Sequence, residues 1–332
     1  MVKKVIIFLI AVVIVFVIAT IGGSVYMLNY SLSSDVNRHD TDSMYNILYE
    51  RYPYMSAWVD SMKSNDCLRD TFVTMPSGER HHAMLVEGDK PTNNIAVVVH
   101  GYKDSSVKFL YLARLYNKYL GCNVLLPDLH GHGLSEGDDI QMGWKDREDI
   151  LAWIGMLPNL FGVYSDSINV VVHGVSMGAA TTMNVSGEST PAYVRCFVED
   201  CGYTSVWDEF STQLDDQFSL PDFPLLYATN ILCDIVYDWT FYEASPLKQM
   251  SKSTKPMLFI HGDKDTFVPS EMVYPLYKAH VGKKKMWIGQ GSEHALSYHD
   301  HEKAYIAVVK DFVSHFLRIS VVTQPIPKKN HR

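Results

Sequence analysis

Five short apolar runs, at 95–99, 123–127, 168–172, 194–199 and 257–260, alternate along the chain with stretches of helical spacing, and nothing else in it narrows the possible fold as far. Each run is apolar at consecutive positions rather than at every second one, so both faces of the strand must be covered. Strands of that kind separated by helices form a mostly parallel sheet with helices on either side. A hairpin of 70–74 and 81–86 around Pro76-Ser77-Gly78 precedes the first run, and 285–288 adds a last strand. Helices are expected over 106–119, 144–157, 177–185, 270–280 and 295–317. The expected class is therefore α/β.

A chain of 332 residues is long enough for one large domain of this type. Its net charge of −8 removes nucleic-acid binding, which needs a basic face to neutralise phosphates. The five cysteines form no C-x-x-C pair, so neither a disulfide framework nor a zinc knuckle is indicated. Cys196 and Cys201, if on one extended strand, stand roughly 16 Å apart, too far to bridge.

After Lys3 and Lys4, Val5 to Leu28 contains no charged residue. As a helix it spans roughly 36 Å, enough to cross a hydrocarbon core of about 30 Å. A cleaved signal peptide would have a shorter apolar run ending in a small-x-small site, which Ala19-Thr20-Ile21 and Gly22-Gly23-Ser24 imitate poorly. An uncleaved anchor is the preferred reading. Two lysines before the span, against Arg38 among Asp35, Asp40 and Asp42 after it, place the body of the protein outside the cytoplasm.

The expected organisation is an anchor at 1–30, a helical linker at 31–69 broken at Pro53, the α/β domain at 70–320, and a flexible tail at 321–332. Between about 204 and 255 the alternation gives way to a stretch rich in aromatic residues, expected as a helical cap over the sheet. On this division, deleting residues 1–30 should leave an intact, active domain.

The chemistry centres on Gly174-Val175-Ser176-Met177-Gly178, which follows an apolar strand and opens a helix. A serine in such a strand-to-helix turn is exposed for attack, and glycines on either side relieve the crowding. It needs a histidine base, and the histidine a carboxylate, both further along the chain. Asp265, in His261-Gly262-Asp263-Lys264-Asp265 after the strand 257–260, is preferred as the acid, with Asp263 as a turn stabiliser. His294, in the loop after the last strand, is the base chosen from 14 histidines; His299 and His301 are read as solvated positions on the following helix. The amides of Met177 and Tyr102 are the expected oxyanion donors, Gly101 permitting the turn.

Other histidines are read structurally. His130-Gly131-His132 lacks a third ligand at metal-site spacing, and His81-His82 alternate across a strand, so no metal or cofactor is expected.

The segments HGY (100–102), DLHGHGLSEG (128–137), GVSMGAA (174–180), EDCGYTS (199–205), HGDKDTFVP (261–269) and GSEHA (291–295) resemble the bacterial α/β-hydrolases grouped with serine aminopeptidase-like (S33) and Bem46-like hydrolases. The likeness covers about 71–317. It implies an eight-stranded α/β-hydrolase fold and hydrolysis of ester, thioester or amide bonds without metal. The arginine usual in the family's D-x-R-G-H-G is His130 here.

Three functions follow. The leading one is a carboxylesterase acting on acyl or aromatic esters. The second is a peptidase, for which Glu209, Asp215, Asp216, Asp222 and Asp234 are candidate contacts to a charged amino terminus. The third is a catalytically inactive binding module on the same fold.

Overall fold

The computed structural model describes residues 2–88 and 90–317; the expected tail at 321–332 lies outside the described residues. Its centre is one sheet of eight strands: β1 (Leu68–Thr74), β2 (Arg80–Val86), β3 (Asn94–Val99), β4 (Asn123–Pro127), β5 (Asn169–Val175), β6 (Val194–Asp200), β7 (Met257–Gly262) and β8 (Lys284–Gly289). Their spatial order is β1-β2-β4-β3-β5-β6-β7-β8. β2 is antiparallel to both β1 and β4, and all other pairs are parallel.

The consecutive apolar residues do what their pattern requires. Ile95, Val97 and Val99 of β3 join one core cluster, while Ala96 and Val98 join the other on the opposite face. The first face is covered by α5 (Asp146–Leu160), α6 (Met177–Ser186) and α10 (Val273–Ala279). The second is covered by α2 (Thr41–Arg51), α3 (Tyr54–Ser64), a helical run centred on α4 (Leu110–Arg114) and α12 (Glu302–Leu317). α2 and α3 meet at Pro53, as expected. The expected continuous helix at 295–317 is instead two, α11 (Ser297–Asp300) and α12, broken at His301. His301 thus caps α11 instead of lying along a helix, and its Nε2–H donates to the Gln290 carbonyl at 2.8 Å.

Between β6 and β7 lie α7 (Val206–Phe218), α8 (Leu225–Tyr237) and α9 (Pro246–Met250). Ser205 caps α7 by accepting the Asp208 N–H at 3.0 Å, and α7 and α8 each end on a residue in the left-handed conformation, Ser219 and Asp238.

The N-terminal helix, α1 (Val2–Leu32), is longer than expected. It is long and apolar enough to cross a membrane, with a mean hydropathy of 3.3 over its most apolar window and none of that window buried. Its far end behaves differently. Ser24, Leu28 and Leu32, four residues apart and so on one face, are buried. This end of α1 packs against the cap, where the Ser24 hydroxyl donates to the Leu225 carbonyl at 3.5 Å and the Tyr30 hydroxyl to Gln217 at 2.8 Å. Leu32 accepts the Ile140 N–H at 2.7 Å. A boundary at residue 30 therefore cuts through a helix whose end belongs to the folded domain.

Candidate active site

β5 delivers Ser176 at its C-terminal end, next to β3 and at the place where strand order changes direction, which is where open α/β sheets form their crevices. Ser176 has φ 58° and ψ −120°, a conformation that costs a non-glycine residue roughly 1–3 kcal/mol. The turn is held by the Ser176 N–H to Asp200 carbonyl bond at 2.8 Å and the first turn of α6. The two glycines are required by close approach: a Cβ on Gly174 would run into the Gly178 carbonyl, and one on Gly178 into the Val99 carbonyl.

The β3/β5 register sets Val99 beside Gly174, so the loop His100-Gly101-Tyr102 emerges against the serine. His100 is fully buried and fixes that loop from both ring nitrogens: Nδ1–H donates to the Gly101 carbonyl at 2.8 Å, and Nε2 accepts the Leu129 N–H at 3.0 Å. The amides of Tyr102 and Met177 have no hydrogen-bond acceptor among the described residues.

Two further loops bring the titratable groups. His294 Nε2 lies 2.8 Å from Ser176 Oγ, and its Nδ1 lies 2.7 Å from Asp265 Oδ2. Asp265 Oδ1 accepts the Phe267 and Val268 N–H groups at 3.1 and 2.9 Å. Burial alone would raise the Asp265 pKa, but hydrogen bonds from His261 and His294 outweigh it and hold the carboxyl below its ordinary value. Asp265 is therefore an anion facing the imidazole. Asp263 instead accepts the Gly291 N–H at 2.6 Å and ties the acid loop to the histidine loop.

The structure thus brings Ser176, Asp265 and His294 into one hydrogen-bonded line and sets the amides of Tyr102 and Met177 free beside it. Sequence reasoning missed His261, whose Nε2 lies 3.2 Å from Asp265 Oδ2 and 3.0 Å from the Val268 carbonyl, behind the acid. It also missed Cys201, whose sulfur sits within 4.8 Å of the Asp265 and His294 ligand atoms. Burial raises the Cys201 thiol far above its usual range, so it stays protonated and is no rival nucleophile.

Ser176 opens into a cavity of about 310 Å³. Phe210, Leu214 and Phe218 of α7, Leu226 of α8 and Phe267 of the acid loop give it apolar walls. One wall was unforeseen: Met27, Tyr30 and Ser31 of α1 line it, and the Tyr102 hydroxyl donates to the Ser31 carbonyl at 2.8 Å. Of the five cap acids named as candidate amine contacts, only Glu209 lines the cavity. It is 3% exposed, its Oε2 has no partner, and burial raises its pKa to about 8, so at neutral pH it is an uncharged acid.

The fold is that of the α/β-hydrolases, and the chain is a hydrolase of that superfamily. It belongs to the prolyl oligopeptidase family, peptidase S9, whose sequence profile matches residues 118–320, more than half of its length. It is 28% identical over 222 residues to the uncharacterized protein YqkD of Bacillus subtilis, covering 67% of this chain and 72% of that protein. In structure it is similar to the Pyrococcus furiosus esterase Pf2001, with a TM-score of 0.60 and 20% identity over 75% of this chain and 93% of that one. It is also similar to the Pyrococcus horikoshii acylaminoacyl peptidase, with a TM-score of 0.57 and 16% identity over 76% of this chain, but over only 42% of that larger one.

Proposed function

We propose that the chain is a membrane-anchored serine esterase that cleaves acyl or aromatic esters through an acyl-enzyme. The observation that carries this is the unbroken line from Ser176 Oγ to His294 to Asp265, with both links under 3 Å. Ser176 Oγ attacks the ester carbonyl while His294 Nε2 takes its proton. The amides of Tyr102 and Met177 bind the oxyanion, Met177 at the positive end of α6. His294 returns the proton to the leaving alcohol, and water then resolves the acyl-enzyme by the same steps in reverse. Asp265, anionic, keeps the imidazole oriented and stabilises its charged form.

The cavity selects the acyl side. Its walls are mainly apolar and its one buried acid is neutral, which suits a hydrocarbon or aromatic group. α1 supplies part of the wall beside the segment proposed to cross the membrane, so the cavity lies close to the bilayer surface.

One observation favours the peptidase reading: Glu209, held at Oε1 by the Gln213 side-chain N–H at 3.1 Å, has a buried Oε2 with no partner that a substrate amine could meet, which would draw the carboxyl into the ionised form. Matched p-nitrophenyl esters of increasing acyl length and aminoacyl p-nitroanilides separate the two. The esterase reading expects kcat/KM to rise with acyl length and anilides to be poor. Faster turnover of anilides with a free amino group, lost in Glu209→Gln, would replace it with the peptidase.

A further inference from the structure

Away from the site, β2, the loop after β4 and α5 converge on a cluster that the proposed chemistry does not use. Glu79, His81 and His130 each direct a ligand atom into it, all within 4.8 Å of one another. His130 Nδ1 is 3.0 Å and His81 Nε2 3.6 Å from the same Glu79 oxygen. Donors bound tetrahedrally at about 2.0–2.2 Å from one ion are spaced by roughly 3.3–3.6 Å, so these atoms need only small shifts to share one.

The far sides of the rings match. His130 Nε2 faces Asp139 Oδ1 at 3.1 Å, and His81 Nδ1 faces Asp149 Oδ2 at 3.5 Å. A carboxylate behind each imidazole is the arrangement that orients metal-bound histidines and raises their basicity. His81 is 0% exposed, yet neither ring nitrogen has a hydrogen-bond partner. Buried polar atoms are rarely left in that state without an ion or water to meet them. Charge points the same way. Among the described residues Glu79, Asp139 and Asp149 find only His81 and His130 as ion-pair partners within 4.0 Å, and no lysine or arginine.

We propose that Glu79, His81 and His130 form a binding site for a divalent transition metal, with Asp139 and Asp149 as its outer carboxylates. Two imidazoles and one carboxylate suit zinc rather than calcium or magnesium. Glu79 is partly exposed, leaving a side open for a water ligand. The ion is structural: it ties the β hairpin to the loop that carries His132, whose Nε2 accepts the Lys103 N–H at 3.2 Å next to Tyr102. The pairing of His130 with His132 considered from sequence fails, because the His132 Nδ1–H donates to the His130 carbonyl and its ring points elsewhere. The other two ligands, Glu79 and His81, come from the hairpin some 50 residues earlier.

The test is zinc binding to the full chain in detergent micelles, stripped with a chelator and dialysed against metal-free buffer. One zinc per chain is expected, with Tm rising by roughly 5–10 °C at a hundredfold excess over Kd. His130→Arg, which places a fixed cation among the carboxylates in place of the ion, is expected to fold and to hydrolyse ester but to bind no zinc. Glu79→Gln, at a partly exposed position, should weaken binding at least tenfold, and cobalt in place of zinc should give wild-type protein visible absorption that Glu79→Gln lacks. His294→Ala should keep its zinc, which separates this site from ions caught at the triad. No binding by wild-type protein at micromolar free zinc, unchanged binding in either ligand variant, or loss of binding in His294→Ala would each overturn the proposal.

Discussion

Two truncated chains, one starting at Gly23 and one at Ser33, put the unexpected role of α1 to a quantitative test. The first removes the exposed apolar part and keeps the buried face; the second removes both. Leu28 is 4% and Leu32 0% exposed, and burial of each leucine is worth roughly 1.5–3 kcal/mol, so the second cut forfeits about 3–6 kcal/mol. Loss of the Tyr102 to Ser31 bond adds about 1 kcal/mol and frees the side chain beside the amide proposed as an oxyanion donor. Against a total stability of about 5–15 kcal/mol for a typical domain, that is a large fraction. Urea unfolding followed by tryptophan fluorescence should show a clearly lower midpoint for the Ser33 chain, with reduced turnover of long-chain esters. The Gly23 chain should be soluble and fully active. Coincident midpoints would refute the claim that the end of α1 belongs to the core.

Asp265→Asn should lower kcat by about 10⁴-fold while leaving the unfolding midpoint nearly unchanged, whereas Asp263→Asn should mainly destabilise; kinetics and urea titration on both variants check the ranking, and its reversal would move the acid to Asp263. Burial raises Glu199 and Glu209 to about 8, above their ordinary values, so the native state holds protons that the unfolded chain releases. Their contribution is present below about pH 4.5 and lost as pH rises through about 8, so stability should fall across that window. Glu199→Gln and Glu209→Gln should each flatten the fall by about one proton, and an unchanged slope would contradict the assignment. If α1 is an anchor with the domain outside, protease added to intact cells should digest the domain and leave a short membrane-bound stub; protection until lysis would invert the topology.

The residues proposed as a triad could be picked out because strand, turn and helix leave their marks within a few residues: valines before Gly174, a tight turn at Ser176, small residues after Gly178. Asp265 could be separated from Asp263 by its position in the loop, and the two carboxylates do face different partners. The end of α1 was not legible, since an apolar helix reads the same against lipid as against protein. Gly22-Gly23-Ser24, weighed as a cleavage site, lies against the cap: a Cβ on Gly23 would sit 3.0 Å from Leu225. Contacts between distant segments left no local pattern either, which is why His261 behind Asp265 and His81 beside His130 emerge only in three dimensions. The break at His301 was hidden by helix-forming residues on both sides of it.

The proposed assignment of Ser176 as the nucleophile is open to a chemical test by covalent labelling. Purified protein treated with a fluorophosphonate should gain one adduct, mapped by peptide mass spectrometry to Ser176, with hydrolysis abolished in step. Ser176→Ala should take up no label and lose at least about 10⁴-fold in ester turnover while remaining folded. An adduct on another residue, no adduct on active protein, or more than a tenth of the activity surviving in Ser176→Ala would contradict it.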